Sequence, residues 1–170
     1  MVSRIAILAA ALVCATSTAD ATEQIWDEVR FERKTYGTAQ APLNGLWTKD
    51  GQLELPEFDV ASSANWKGYT AAWEITDGCL YLTEFKASRN GKVVEVSEIL
   101  PGRKLPAFAG WFTGRLIVPI GEKDAYGTWS SILVFHVTNG RVTKGEILFS
   151  GRVYHSWDGL DRPAIAETPE

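Results

Sequence analysis

The densest gathering of reactive side chains lies near the C-terminus, in Tyr154-His155-Ser156-Trp157-Asp158-Gly159-Leu160-Asp161-Arg162. Imidazole and carboxylate oxygen suit several divalent ions, so His155, Asp158 and Asp161 form a candidate metal or hydrolytic centre. Their spacing matches no standard zinc pattern, and a closed zinc site takes four ligands. The same residues also write a turn. Asp158-Gly159 bends a chain, and Asp161 beside Arg162 makes a solvated pair. The turn is the stronger reading, on a segment expected to be a loop after the last strand, where function tends to reside.

Other catalytic material is thinner. His136 stands mid-strand among Val134, Phe135 and Val137, and one imidazole without a partner makes no machine. No G-x-S-x-G elbow is present, and Ser130, Ser131 and Ser150 fall in extended segments. No glycine-rich phosphate loop opens a helix, so no nucleotide cofactor is expected. Glu95 and Glu98, at opposite parity in an expected strand, point to opposite faces. Binding is therefore expected ahead of catalysis.

Indoles offer the better case. The chain has seven Trp, and each buried ring hides about 150–250 Å². Core packing accounts for Trp73, whose neighbours Tyr69, Ala71 and Ile75 share its face. Trp66, Trp111 and Trp157 stand at loop-to-strand junctions, where a ring can stack on a sugar or a partner's side chain. Asn65 and Lys67 flank the first of these, and Asp158 follows the third.

Elements must position these residues, and turn dipeptides mark them out. Asp50-Gly51, Asp77-Gly78, Asn90-Gly91 and Asn139-Gly140 suit type I′ turns, which need positive φ at both central positions. Between them, Gly68–Thr76, Cys79–Ala87, Lys92–Ile99, Phe112–Ile120, Trp129–Thr138 and Arg141–Ser150 read as strands by period-2 alternation. Pro119 puts the end of one at an edge or bulge. Asp27–Thr38 reads as an edge hairpin, and residues 39–66 as a long ordered connection. The expectation is an all-β domain: an antiparallel meander of about six to eight strands, curled into a barrel or half-barrel.

The run Asn65-Trp66-Lys67-Gly68-Tyr69, followed by Trp73-Glu74-Ile75-Thr76-Asp77-Gly78-Cys79-Leu80-Tyr81-Leu82, resembles a motif of small bacterial proteins of unknown function. Its outline is W-x-G-Y-x-x-x-W-E-I-x-D-G-x-L-Y-L. Ala109-Gly110-Trp111-Phe112-Thr113-Gly114-Arg115-Leu116 and Ala41-Pro42-Leu43 are similar to the same group. The resemblance implies one compact β domain and brings no activity with it.

The first residues point to export. Arg4 precedes an apolar run from Ile5 to Val13, and Ala19-Asp20-Ala21 supplies an A-x-A site, so residues 1–21 read as a secretory signal peptide. The run is well short of the ~20 apolar residues that cross a bilayer, and no stable membrane insertion is expected. Residues 22–162 then form a single domain, with 163–170 as a flexible tail, in the periplasm or outside the cell. Cleavage removes Arg4 and Asp20 together, so the net charge stays at −4. That balance disfavours nucleic acid and anionic lipid. It also removes Cys14 and leaves Cys79 alone, expected as a small buried hydrophobe.

Three functions follow, in order. The first is a non-enzymatic binding domain using loop aromatics, its partner a glycan, a small ligand or an envelope protein. The second is the enzyme at His155, Asp158 and Asp161, and the third a structural or assembly protein of the envelope. Expressed with its leader in a bacterial host, the protein is expected to be recovered beginning at Thr22. An intact mass that still includes residues 1–21 would overturn the cleavage.

Overall fold

The computed structural model describes residues 24–60, 62–124 and 128–149, together with the backbone of 152–158. Its strands are β1 (Asp27–Phe31), β2 (Lys34–Thr38), β3 (Thr48–Lys49), β4 (Gln52–Leu53), β5 (Tyr69–Thr76) and β6 (Cys79–Arg89). They continue with β7 (Lys92–Val93), β8 (Ala107–Phe108), β9 (Gly114–Pro119), β10 (Ser131–Thr138), β11 (Arg141–Phe149) and β12 (Arg152–Asp158). A single helical turn, α1 (Val96–Ile99), and two 3-10 turns, Pro42–Leu46 and Ser63–Asn65, complete the elements described. The domain is all-β.

Hairpins form where the turn chemistry places them. Asp50-Gly51, Asp77-Gly78, Asn90-Gly91 and Asn139-Gly140 all have positive φ at both residues, as a type I′ turn demands. A fifth such pair, Glu32-Arg33, closes β1 onto β2 without a glycine. On β5, Tyr69, Ala71, Trp73 and Ile75 are buried and alternate with more exposed neighbours. That face meets Val29 and Phe31 of β1 and Leu133 and Phe135 of β10 in one core. Phe31 and Phe135 pack edge to face, 4.8 Å between ring centres.

The topology corrects the expected meander. Ten strands join in the order β2-β1-β5-β6-β11-β10-β9, with β7 and β8 added to β6 and β12 added to β11. The sheet is mixed, because β1 runs parallel to β5. A parallel pair needs a crossover of a dozen or more residues, which is why a long connection separates β2 from β5. β6 and β11 pair at one position, Cys79 with Arg141. Beyond it the sheet forks: β8 and β7 take the edge of β6, and β12 takes the edge of β11.

Two further expectations change. Lys92–Ile99 is not one strand, since only Lys92 and Val93 pair before the chain turns into α1. Glu95 and Glu98 form a reciprocal capping box there, which satisfies the N-terminal amides of the turn. The segment expected as a loop after the last strand is β12, antiparallel to β11 from Arg152 to Asp158. Pro119 does end an edge strand, β9.

Among the described residues no ladder joins β2 to β9, although these two ends of the path lie against each other. Side chains bridge them. The Thr38 hydroxyl donates to the Ile117 carbonyl at 2.8 Å, and the Ile117 amide donates to the Gln40 side-chain carbonyl at 2.9 Å. One hydroxyl and one amide side chain thus answer the backbone of an edge residue as a neighbouring strand would.

Gly140 and Gly91 both occupy second turn positions at φ near +70°, yet their surroundings differ. A Cβ at Gly140 would lie 2.7 Å from the Ala109 carbonyl oxygen, whereas at Gly91 it would meet open space. Gly91→Ala is therefore expected to cost about 1 kcal/mol, the left-handed penalty alone. Gly140→Ala should cost at least about 2 kcal/mol more. Urea unfolding of both variants checks this, and equal losses would contradict it.

Candidate functional site

The 3-10 turn Ser63–Asn65 delivers the chain to β5 through Trp66, Lys67 and Gly68. The Gly68 amide donates to the Asn65 carbonyl at 3.0 Å, closing the turn. Gly68 has φ +70°, and a Cβ there would sit 2.6 Å from that of Phe58. This tight turn sends adjacent side chains to opposite destinations. Trp66 is 59% exposed, while Lys67 runs inward and its side chain is 10% exposed.

Lys67 meets a carboxylate with no exposed surface. Its ammonium lies 2.7 Å from Oδ1 of Asp27, whose residue is 0% exposed. The Ala71 amide donates to the same oxygen and the Trp73 indole N–H to the other, each at 3.3 Å. Burial pushes the Asp27 carboxyl above its ordinary range, and the Lys67 charge and these donors pull it back. The ammonium also stands 4.7 Å from the centre of the Tyr69 ring, a cation–π contact. Burial, and then the Asp27 charge, push the Tyr69 hydroxyl well above its usual range.

Two clefts share Trp66 and Lys67 in their walls. One, of about 340 Å³, is lined by Gln24, Trp26, Asn44, Asn65, Trp66 and Lys67 among others. The second, of about 470 Å³, runs from Trp66 past Phe58, Asp59 and Val60 to Arg89 and Asn90. Asp59 accepts from the Asn90 and Gly91 amides at 2.9 and 2.8 Å and so fixes this rim to the β6–β7 turn. Those hydrogen bonds hold its carboxyl below the usual range. Asn65 lines the first cleft, but its Oδ1 is buried away from the surface with no hydrogen-bond partner. Leaving an acceptor in that state costs about 1–3 kcal/mol.

The expected site residues scatter. Trp66 is on these clefts. Trp111 lines neither: it is half-buried against the core, its indole N–H donating to the Pro42 carbonyl at 3.2 Å. Trp157 and His155 lie on β12, paired with Gly145 and Ile147, and Asp158 pairs with Lys144. His155 and Asp158 thus take positions of opposite parity on one strand, in place of the expected shared loop. Asp161 lies outside the described residues. His136 has a partner after all, its Nε2 3.1 Å from Glu146 Oε2. The other oxygen of Glu146 accepts from Lys144, and these two partners hold the carboxyl below its usual range. Cys79 is buried at the fork, 3.9 Å from an Arg141 nitrogen.

Trp26 and Asp27 escaped the sequence reading. An indole and a carboxylate ahead of an alternating run gave no sign that one would wall a cleft and the other sink below it. Among the described residues, no group of three or more His, Cys, Asp or Glu is placed to hold a metal ion. Nor is any described helix long and apolar enough to cross a membrane.

Fold and site together define an all-β domain with an exposed indole that lines two clefts, next to a buried ion pair. No protein-family model, curated protein or solved structure matches the chain.

Because folding raises the Asp27 pKa, its contribution to stability is complete below about pH 4 and falls as pH climbs through the raised value. Lys67 limits that fall, since it attracts only the ionised form. Lys67→Met is expected to be nearly neutral at about pH 4 and to cost about 3 kcal/mol near pH 7. Urea unfolding at both pH values reads the difference, and a loss independent of pH would show that the ion pair does not set it.

Proposed function

We propose that the protein is an exported, non-enzymatic binding domain that takes a neutral glycan against Trp66. The observation that carries this is an indole left more than half exposed and lining two clefts, with amide side chains around it. An indole face packs on the apolar C–H face of a sugar ring, while Gln24, Asn44 and Asn65 offer amides to its hydroxyls. The net charge of −4 disfavours a polyanion. Export rests on the leader pattern of residues 1–21, and the placement follows from it: periplasm or outside. A sheet curled into a half-barrel belongs to the same reading, supported by the meeting of β2 and β9 at Ile117.

Magnitudes limit what Trp66 can do alone. Covering the exposed part of its ring is worth about 2–3 kcal/mol at ~25 cal/mol per Å². A millimolar complex already needs about 4 kcal/mol, so amide contacts or further rings must contribute.

Titration of the mature protein with neutral polysaccharides should shift its tryptophan fluorescence. Trp66→Ala should weaken binding about tenfold or more, with the melting temperature within a few degrees of the parent. Silence toward every saccharide, or undiminished binding by Trp66→Ala, would overturn the proposal.

A further inference from the structure

Trp66 does not stand alone. The cleft it walls is walled also by Trp26, and Trp26 in turn touches Trp129, with ring centres 6.2 Å apart and planes tilted by 46°. Both of these rings are partly exposed. Three of the seven indoles therefore form one continuous strip from the β4–β5 connection, past the start of β1, to the start of β10.

Two of the rings are held in place. Trp26 lies against Gly37 of β2, where a Cβ would come within 2.8 Å of its Cε3. Trp129 pairs with Lys123 across the β9–β10 connection, and the Lys123 ammonium sits 5.8 Å from its ring centre. The same connection is tied by Ser130 N–H to the Glu122 carbonyl at 2.8 Å and by Asp124 N–H to the Thr128 carbonyl at 2.9 Å. Trp26 and Trp129 are thus preorganised, and a ligand need not order them.

We infer that the strip takes an extended, neutral oligosaccharide, with successive sugars running from the Trp66 clefts over Trp26 to Trp129. This rests on the glycan reading of Trp66 and adds to it the length and direction of the ligand. A single sugar at Trp66 would leave Trp129 unused. A chain reaching it gathers several modest contacts, which is what the small worth of one ring requires.

Affinity electrophoresis of the full mature protein through gels containing neutral glucans, mannan, xylan and soluble chitin derivatives identifies a retained polymer. Calorimetry then uses the oligomers of that polymer, from monomer to hexamer. Affinity should rise with each added sugar until the strip is covered. Trp129→Ala should weaken the hexamer about tenfold and leave the dimer unchanged, whereas Trp66→Ala should weaken both. Trp129→Phe, which keeps an aromatic face, should restore hexamer binding to within about threefold of the parent. An affinity that stops rising at the disaccharide, or a hexamer indifferent to Trp129→Phe and Trp129→Ala alike, would overturn the strip and leave the Trp66 site standing. Retention by no polymer would overturn both. Length dependence is read on the parent protein, so the result stands even where Trp129→Ala fails to fold.

Discussion

A carboxylate with no exposed surface must be answered from within the protein, and Asp27 sets that requirement at the first residue of β1. Removing a charge from water costs several kcal/mol even after local relaxation, so the ion is tolerable only where its partners converge. They come from one place: the start of β5 supplies the Ala71 amide and the Trp73 indole, and the turn before it supplies Lys67. The consequence is geometric more than energetic. β1 lies parallel to β5 in a register pairing Val29 with Trp73, and a slip of one residue would strand both charges. Drawing Lys67 inward leaves Trp66, its neighbour, on the outside. The buried pair and the exposed ring are two results of one turn.

The crossover that this parallel pairing imposes is fastened by aromatic packing. Trp47 and Phe58 of the connection meet Tyr69 of β5, with ring centres 5.5 and 5.9 Å from it, and Phe85 of β6 completes the group. The tryptophans therefore have separate tasks. Trp73 fills the core, Trp47 pins the connection, and Trp111 fixes the 3-10 turn at Pro42 through its N–H. Among the tryptophans whose side chains are described, what is left for the surface is the group of Trp26, Trp66 and Trp129. Packing thus engages three of these six tryptophans and leaves the other three.

Legibility followed locality. Positive φ belongs to Asn-Gly and Asp-Gly pairs by local sterics, so those hairpins could be read from dipeptides, whereas Glu32-Arg33 adopts the same turn without the glycine that announces it. Alternation exposed the buried face of β5 because that face meets one core. It misled at Val96–Ile99, where four residues are too few to show a helical period and the Glu95/Glu98 capping box was the sign to look for. On β12, His155, Ser156 and Asp158 looked like loop chemistry because their side-chain types suggest sites. Pairing with β11 joins neighbours in sequence, Phe149 with Arg152 onward, and the strands expected from alternation end at Ser150. Trp66 was legible as a ring at a junction. Asp27 was not, since an Asp ahead of a strand ordinarily belongs to a turn.

The position of the clefts has its own physical cause. A regular ladder fills the space between neighbouring strands with backbone, leaving no room for a ligand. At the meeting of β2 and β9 the ladder is replaced by Thr38 and Gln40, and Thr38 also lines the cleft shared by Trp26 and Trp66. The residues after it, Ala39 and Ala41, border the same cleft with short side chains. An edge strand left open invites pairing with another chain. Here side-chain hydrogen bonds to Ile117 occupy part of the exposed edge of β9, and Pro119 withholds a donor at its end. The seam is thereby guarded against strand addition. The cleft shared by Trp26 and Trp66 thus opens where β2 ends at Thr38, beside the stretch in which side chains take the place of backbone pairing.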